Sequence, residues 1–148
     1  MPDRISFNRP FHCDDEFSYI QDAFLRNHVS GNGYYTKKCQ CFFEERYGFG
    51  RCFLTTSCTD ALEMCALLLN IEEGDEIILP SYTFVSTALA FARQGATLRF
   101  VDSRVDYPGI DESQIEKNIT PQTKAIVVVH YAGIACDMDL VMDIASRY

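Results

Sequence analysis

"GDEIILPSYTFVSTALAFARQGATLRFVD", residues 74–102, decides the fold. The apolar run Ile77 to Leu79 stops at Pro80, which has no N–H to continue a ladder. Apolar residues at helical spacing follow from Phe84 to Gln94, and Gly95 ends them. A second short run, "TLRFVD", begins at once. Strands that are nearly continuous apolar runs, joined through a helix, are the pattern of parallel strands covered on both faces.

The same texture extends outward. "RCFLTT" (51–56) reads as a strand before the helix "TDALEMCALLLN" (59–70). A Pro-Gly turn after Asp102 leads to a predicted helix "DESQIEKNI" (111–119), where Asp111 and Gln114 have capping-box spacing. "KAIVVVHY" (124–131) is a fourth strand, followed by a last helix from Asp137 to Tyr148. Strands alternating with helices predict an α/β fold with a doubly wound, mostly parallel sheet and helices on both faces. The first fifty residues differ. Phe17, Ile20, Phe24 and Leu25 recur at helical spacing between Asp14 and His28. "SGNGYY" then breaks the chain, and a second helix is predicted to be capped by Thr36 and closed by Gly48. The expected division is a helical arm over 1–50 and an α/β domain over 51–148.

Composition narrows the partners. At 148 residues, 47% hydrophobic and 23% charged, the chain is long enough for one soluble domain with a core. No apolar run approaches the roughly 20 residues that cross a bilayer. The N-terminus "MPDRISFNRPFHCDDEF" is broken by charge and proline, so no signal peptide and a cytoplasmic setting are expected. A net charge of −8 without a basic stripe argues against a nucleic-acid partner. Seven cysteines, an odd number without a secretion signal, read as reduced thiols. Cys39 and Cys41 form C-x-C without a matching second half, so no metal is expected. Cys39, Cys52 and Cys65 sit on apolar faces and read as small core residues.

In a doubly wound sheet, ligands bind outside the carboxyl ends of the strands. Those ends carry Thr55 to Asp60, Pro80 to Phe84, Asp102, and His130 to Gly133. At the first, Ser57, Cys58 and Thr59 are small residues at a helix start, where free N–H groups and the dipole attract an anion. A plain helix cap is the competing reading, and Asp60 in that turn would oppose an anion. Phe84 either lies against a planar ring or packs into the core. His130 serves acid-base chemistry or ligand contact, or is a satisfied structural residue. His12 and His28 have no constellation around them.

Taken together, "TTSCTDALEM", "GDEIILPSYTFVSTALAF", "TPQTKAIVVVHYAG" and "GNGYYTKKCQCFFEERYG" resemble the DegT/DnrJ/EryC1/StrS sugar-nucleotide aminotransferases. That resemblance, which covers nearly the whole chain, implies a fold-type I enzyme using pyridoxal 5'-phosphate. It implies a phosphate-binding turn at Ser57, Cys58 and Thr59, with the backbone N–H of Asp60, and a ring-stacking aromatic at Phe84. It places the segment Gly31 to Thr36, with Tyr34, near the sugar substrate, and sets His130 and Tyr131 beside it. The implied reaction aminates dTDP-4-dehydro-6-deoxy-glucose to dTDP-4-amino-4,6-dideoxygalactose for cell-surface polysaccharide, with glutamate as donor, in a homodimer.

The family also uses a lysine that bonds the cofactor and moves a proton, and a carboxylate on the pyridine nitrogen. Both are implied to lie beyond Tyr148, and no catalytic residue is assigned here. Lys37, Lys38, Lys117 and Lys124 lack the apolar setting that would depress a lysine pKa. The chain is therefore expected to be the N-terminal portion of such an enzyme, inactive alone. The alternatives are a non-catalytic phosphate- or nucleotide-binding module, or a truncated relic that pairs with a full-length homologue. An unrelated dinucleotide-binding protein would need a glycine fingerprint that is absent.

Overall fold

A computed structural model describes residues 6 and 8–148. Residues 1–5 and 7, part of the stretch read against a signal peptide, lie outside the described residues. The chain divides into two compact units between Leu54 and Thr55.

The first unit holds α1 (Glu16–Leu25) and α2 (Tyr34–Tyr47). Gly48 closes α2 at φ 71°, and its N–H donates to the Glu44 carbonyl, as its sequence position predicts. Thr36 is not the cap. The cap lies three residues earlier, at Gly33 in extended conformation, and the helix starts at Tyr34. "RCFLTT" is not a strand: Cys52 N–H donates to the Glu44 carboxylate at 2.9 Å instead of entering a ladder, and Phe53 and Leu54 are exposed. Neither helix buries a residue among the described ones.

The second unit carries the sheet. Its elements run α3 (Cys58–Leu68), β1 (Glu76–Pro80), α4 (Val85–Ala92), β2 (Thr97–Val101), β3 (Thr123–Ile126) and α5 (Met138–Arg147). Where one helix was predicted over 111–119, two 3₁₀ turns occur, Glu112–Gln114 and Glu116–Asn118. Asp111 caps the first by accepting from Ser113 N–H, but the Gln114 amide bonds the Asp111 carboxylate rather than its N–H. The reciprocal box that would have started an α-helix is left incomplete.

β1 is the middle strand of a parallel sheet in the order β2-β1-β3. The β2 register runs from Glu76 against Thr97 to Pro80 against Val101. On the other side the register shifts after Glu76, and Lys124 is the extra residue. Its ammonium reaches back to the Asn70 carbonyl at 2.7 Å and the Asp75 carboxylate at 2.8 Å. At the same edge, Arg99 holds Glu76 through two bonds of 2.6 Å, and Thr120 donates to that carboxylate.

All five β1 residues are buried, as its unbroken apolar run requires. Ile77 faces a core with Ala66 of α3 and Ala90 and Phe91 of α4; Ile78 faces the opposite core with Ile110, Ile115, and Val141 and Ile144 of α5. Helices thus cover both faces, and α3 and α4 run against the strand direction on one of them. β3 is shorter than its apolar run, because only Val127 N–H, bonded to the Ile78 carbonyl, carries the ladder onward. Among the described residues no strand pairs its other side, where Ile126, Val128, Val141, Met142 and Tyr148 line an apolar groove of about 540 Å³. The cysteine expectation is reversed: Cys39 and Cys65 are exposed, Cys52 is half-buried, and Cys136 is in the core.

Gly95, at φ 97°, turns α4 into β2, and an added Cβ would lie 3.3 Å from Glu73 Cα and N. Both the conformation and the close backbone select glycine there. Gly95→Ala is expected to lower the unfolding free energy by about 1–2 kcal/mol in a urea titration.

Candidate functional site

The segments named from sequence at the carboxyl edge of the sheet, apart from "RCFLTT", belong to the second unit. α3 ends where the chain turns into β1 and α4 starts where β1 ends, so both helix N-termini open at this edge. Ser57 is the N-cap of α3, its hydroxyl accepting from Asp60 N–H at 3.1 Å. Among the described residues, the N–H groups of Cys58 and Thr59 have no partner, as helix geometry dictates for a first turn. The Asp60 carboxylate is engaged by the Thr56 hydroxyl, and Thr55 donates to the Ser57 carbonyl at 2.8 Å. The cap and an anion-attracting turn therefore coexist: capping occupies the Asp60 N–H and leaves two others free. Asp60 is a departure from a bare anion turn, since its N–H is taken and its charge stays in the turn.

Phe84 forms the N-cap of α4 and is 74% exposed, so it does not pack into the core. Below it, the hydroxyls of Thr83 and Thr87 bond at 2.8 Å and hold the turn. From the end of β3 the chain reaches His130, whose Nδ1 accepts from Cys136 N–H at 3.1 Å. In the neutral ring this bond places the proton on Nε2, which is the nitrogen left to serve a ligand. Tyr131, Ala132 and Gly133 form a tight turn in which Ala132 and Gly133 both have positive φ, 53° and 80°. Tyr131 meets Tyr82 across the edge, with ring centroids 4.8 Å apart. Their hydroxyls lie 3.4 Å apart, a contact that, with burial, raises the Tyr131 phenol above its ordinary pKa. No sequence signal links these two residues; only the strand order makes them neighbours.

In the first unit, Tyr34 and Thr36 line a hollow of about 150 Å³ with Arg26, His28 and Ser30. Gly31 is not part of its lining; its carbonyl lies 3.4 Å from His28 Nε2. The Arg26 guanidinium sits 3.8 Å from the Tyr34 ring centroid and pairs with Asp22. Tyr35 donates to the same carboxylate at 2.8 Å. The Arg26 and Tyr35 bonds hold Asp22 below the usual carboxylate range. Arg26 and His28 were not singled out by sequence, because neither belongs to a motif and only the turn at 27–33 brings them to the hollow.

Comparison with known proteins supplies the frame for these features. The model of the DegT/DnrJ/EryC1/StrS aminotransferase family matches residues 12–148. The GDP-perosamine synthase of Escherichia coli O157:H7 is 35% identical over 131 residues, 88% of this chain and 36% of the relative. That of Caulobacter vibrioides is 31% identical over 98% of this chain and 39% of its own. Among solved structures, a putative sugar aminotransferase of Streptococcus pneumoniae in its PLP form superposes with a TM-score of 0.83. It is 29% identical over 95% of this chain and 36% of its own. DesV of S. venezuelae gives 0.78 at 32% identity over 88% of this chain and 36% of its own. The chain thus spans little more than a third of the length of the relatives it matches.

Proposed function

Since this chain belongs to the DegT/DnrJ/EryC1/StrS aminotransferase family, we propose that it forms the N-terminal, phosphate-binding portion of a pyridoxal-phosphate-dependent sugar-nucleotide aminotransferase. The observation that carries this reading is the shared opening of the α3 N-terminus and the exposed Phe84 ring at the carboxyl edge. The residues fit the cofactor. The unbonded N–H groups of Cys58 and Thr59, with the positive end of α3, would hold its phosphate. Phe84 would cover one face of its ring. When bound, pyridoxal phosphate supplies an electron sink for moving an amino group. His130, through Nε2, would donate to a polar group at the site, while Cys136 N–H keeps its ring oriented.

The proposed reaction is amination of dTDP-4-dehydro-6-deoxy-glucose with glutamate as donor, in a dimer, toward a polysaccharide precursor. A GDP-linked keto-sugar is the second reading, favoured by the two GDP-perosamine synthases among the relatives. The hollow beside Tyr34 and Thr36 is assigned to the substrate, and Arg26 is its cation. Within the second unit, neither lysine suits the chemistry: the Lys124 ammonium is bound at the amino edge of the sheet, and Lys117 is exposed. We therefore assign the cofactor-bonding lysine to the further length that the relatives possess.

The test is an absorbance titration with pyridoxal phosphate. Saturable binding is expected, weakened about ten-fold by Phe84→Ala through loss of one stacking face. An unsaturable response, or equal affinity of the variant, overturns the assignment. Calorimetric affinities of the chain for dTDP- and GDP-linked 4-keto-6-deoxy sugars then separate the two readings of the substrate: tighter binding of the dTDP sugar supports the first and tighter binding of the GDP sugar the second.

A further inference from the structure

β1 and β3 are neighbours, yet the chain leaves them toward opposite faces. From β1 it passes to α4, in the core around Ile77; from β3 it passes to α5, in the core around Ile78. That divergence makes the carboxyl ends of the two strands a topological switch point, the place where open α/β sheets hold their ligands. Tyr82 follows β1 and Tyr131 follows β3, so one phenol comes from each strand end.

We propose that Tyr82 and Tyr131 act as a pair that reads a hydroxyl-bearing ring, the sugar rather than the nucleotide of the substrate. This rests on the function proposed above and deepens it. Four features point to a sugar. The pair is neutral. One phenol donates to the other, which leaves a free donor and several lone pairs, the mixture that sugar hydroxyls match and a phosphate, accepting only, does not. The 3.4 Å separation is long beside the roughly 2.7–2.8 Å of a good O–H···O bond, so a ligand hydroxyl exchanges with it at little cost. The rings are tilted by 51° with centroids 4.8 Å apart, which leaves no flat slot for a nucleobase.

The backbone supports the placement. Tyr131 starts a turn with two successive left-handed residues, and for Ala132 that conformation is costly. Gly133 N–H to the His130 carbonyl and Ile134 N–H to the Tyr131 carbonyl, both 3.1 Å, hold it closed. The pair is half-open to solvent, with Tyr82 51% and Tyr131 37% exposed, so a ligand reaches it without any core movement.

The experiment is calorimetric titration of the wild-type chain, Tyr82→Phe, Tyr131→Phe and the double variant. The probes are dTDP-glucose with dTDP, and GDP-mannose with GDP. Each single variant is expected to bind the preferred sugar nucleotide about five-fold more weakly, the value of one hydrogen bond, while the bare nucleotide changes less than about two-fold. The double variant should lose little beyond either single one, because the hydroxyls act as a unit. Unchanged affinity for the sugar nucleotide, or an equal loss for the bare nucleotide, overturns the pairing while leaving the proposed function standing. A wild-type chain that binds neither sugar nucleotide nor pyridoxal phosphate overturns both.

Discussion

Replacing Glu112 by alanine is expected to lower the unfolding free energy of the second unit by about 3 kcal/mol, read from urea denaturation. Glu112 is 1% exposed, and its carboxylate is surrounded by donors. Asp137 N–H donates at 2.7 Å, Tyr107 at 3.0 Å and Arg104 at 3.4 Å. Removing the carboxylate strands the Tyr107 hydroxyl and the N-cap N–H of α5 without an acceptor, and a void is left beside them. Arg104 is less affected, because Asp106 also pairs with it. Glu112→Gln keeps the volume and one acceptor, so about half the loss is expected. The pH dependence gives a second readout. Burial pushes the Glu112 pKa up, but the bonds from Asp137 N–H, its own backbone, Tyr107 and Arg104 outweigh it and hold the group below the usual carboxylate range. A depressed folded pKa means stability that is complete above the unfolded value and lost as pH falls through the folded one. The stability gap between wild type and Glu112→Gln should therefore be full at neutral pH and close on acidification below that range. A gap constant with pH would show that Glu112 contributes through packing alone.

Ile78→Ala is expected to cost about 3–4 kcal/mol. The side chain is fully buried in the middle strand, between Val101 of β2 and the inner face of α5. Strands on both sides fix its backbone, so the surrounding structure has little freedom to collapse into the void. Ile78→Val removes one methylene and should cost about 1 kcal/mol, which stays measurable if the alanine variant does not fold. Ile77→Ala should cost a similar amount from the opposite core, shared with Phe91 and Ala66. The two valine variants combined should give close to the sum of the single effects, because their side chains share no core cluster. A loss below about 1 kcal/mol for Ile78→Ala would mean that this face is not closed in solution.

These two residues also show what a sequence discloses. Ile77, Ile78 and Leu79 read as a doubly covered strand because the run leaves no polar face, and the strand is buried throughout. Gly48 and Gly95 carried local stop signals, and both end their helices where local chemistry placed them. "RCFLTT" carried an equally good apolar pattern, yet a strand also needs a partner, and partners are not local. Cys39 and Cys65 failed likewise: an apolar face predicts burial only where another element covers it. At the candidate site, Ser57 and Phe84 were legible because each is tied to a helix start. The Tyr82–Tyr131 contact and the Arg26–His28 hollow were not, since they arise from strand order and from a turn.

The central place of β1 sets an order of assembly. Its partner β2 is reached through α4 alone, whereas β3 is reached only after β2 and the 3₁₀ turns have been threaded past. Closing the longer loop costs more chain entropy, so the β1–α4–β2 unit is expected to form first and β3 to dock late. On that order, contacts that fasten β3, such as Lys124 to Asp75 and Thr120 to Glu76, are expected to form after the rate-limiting step. Lys124→Ala and Thr120→Ala are therefore expected to speed unfolding and leave the folding rate nearly untouched in stopped-flow urea jumps.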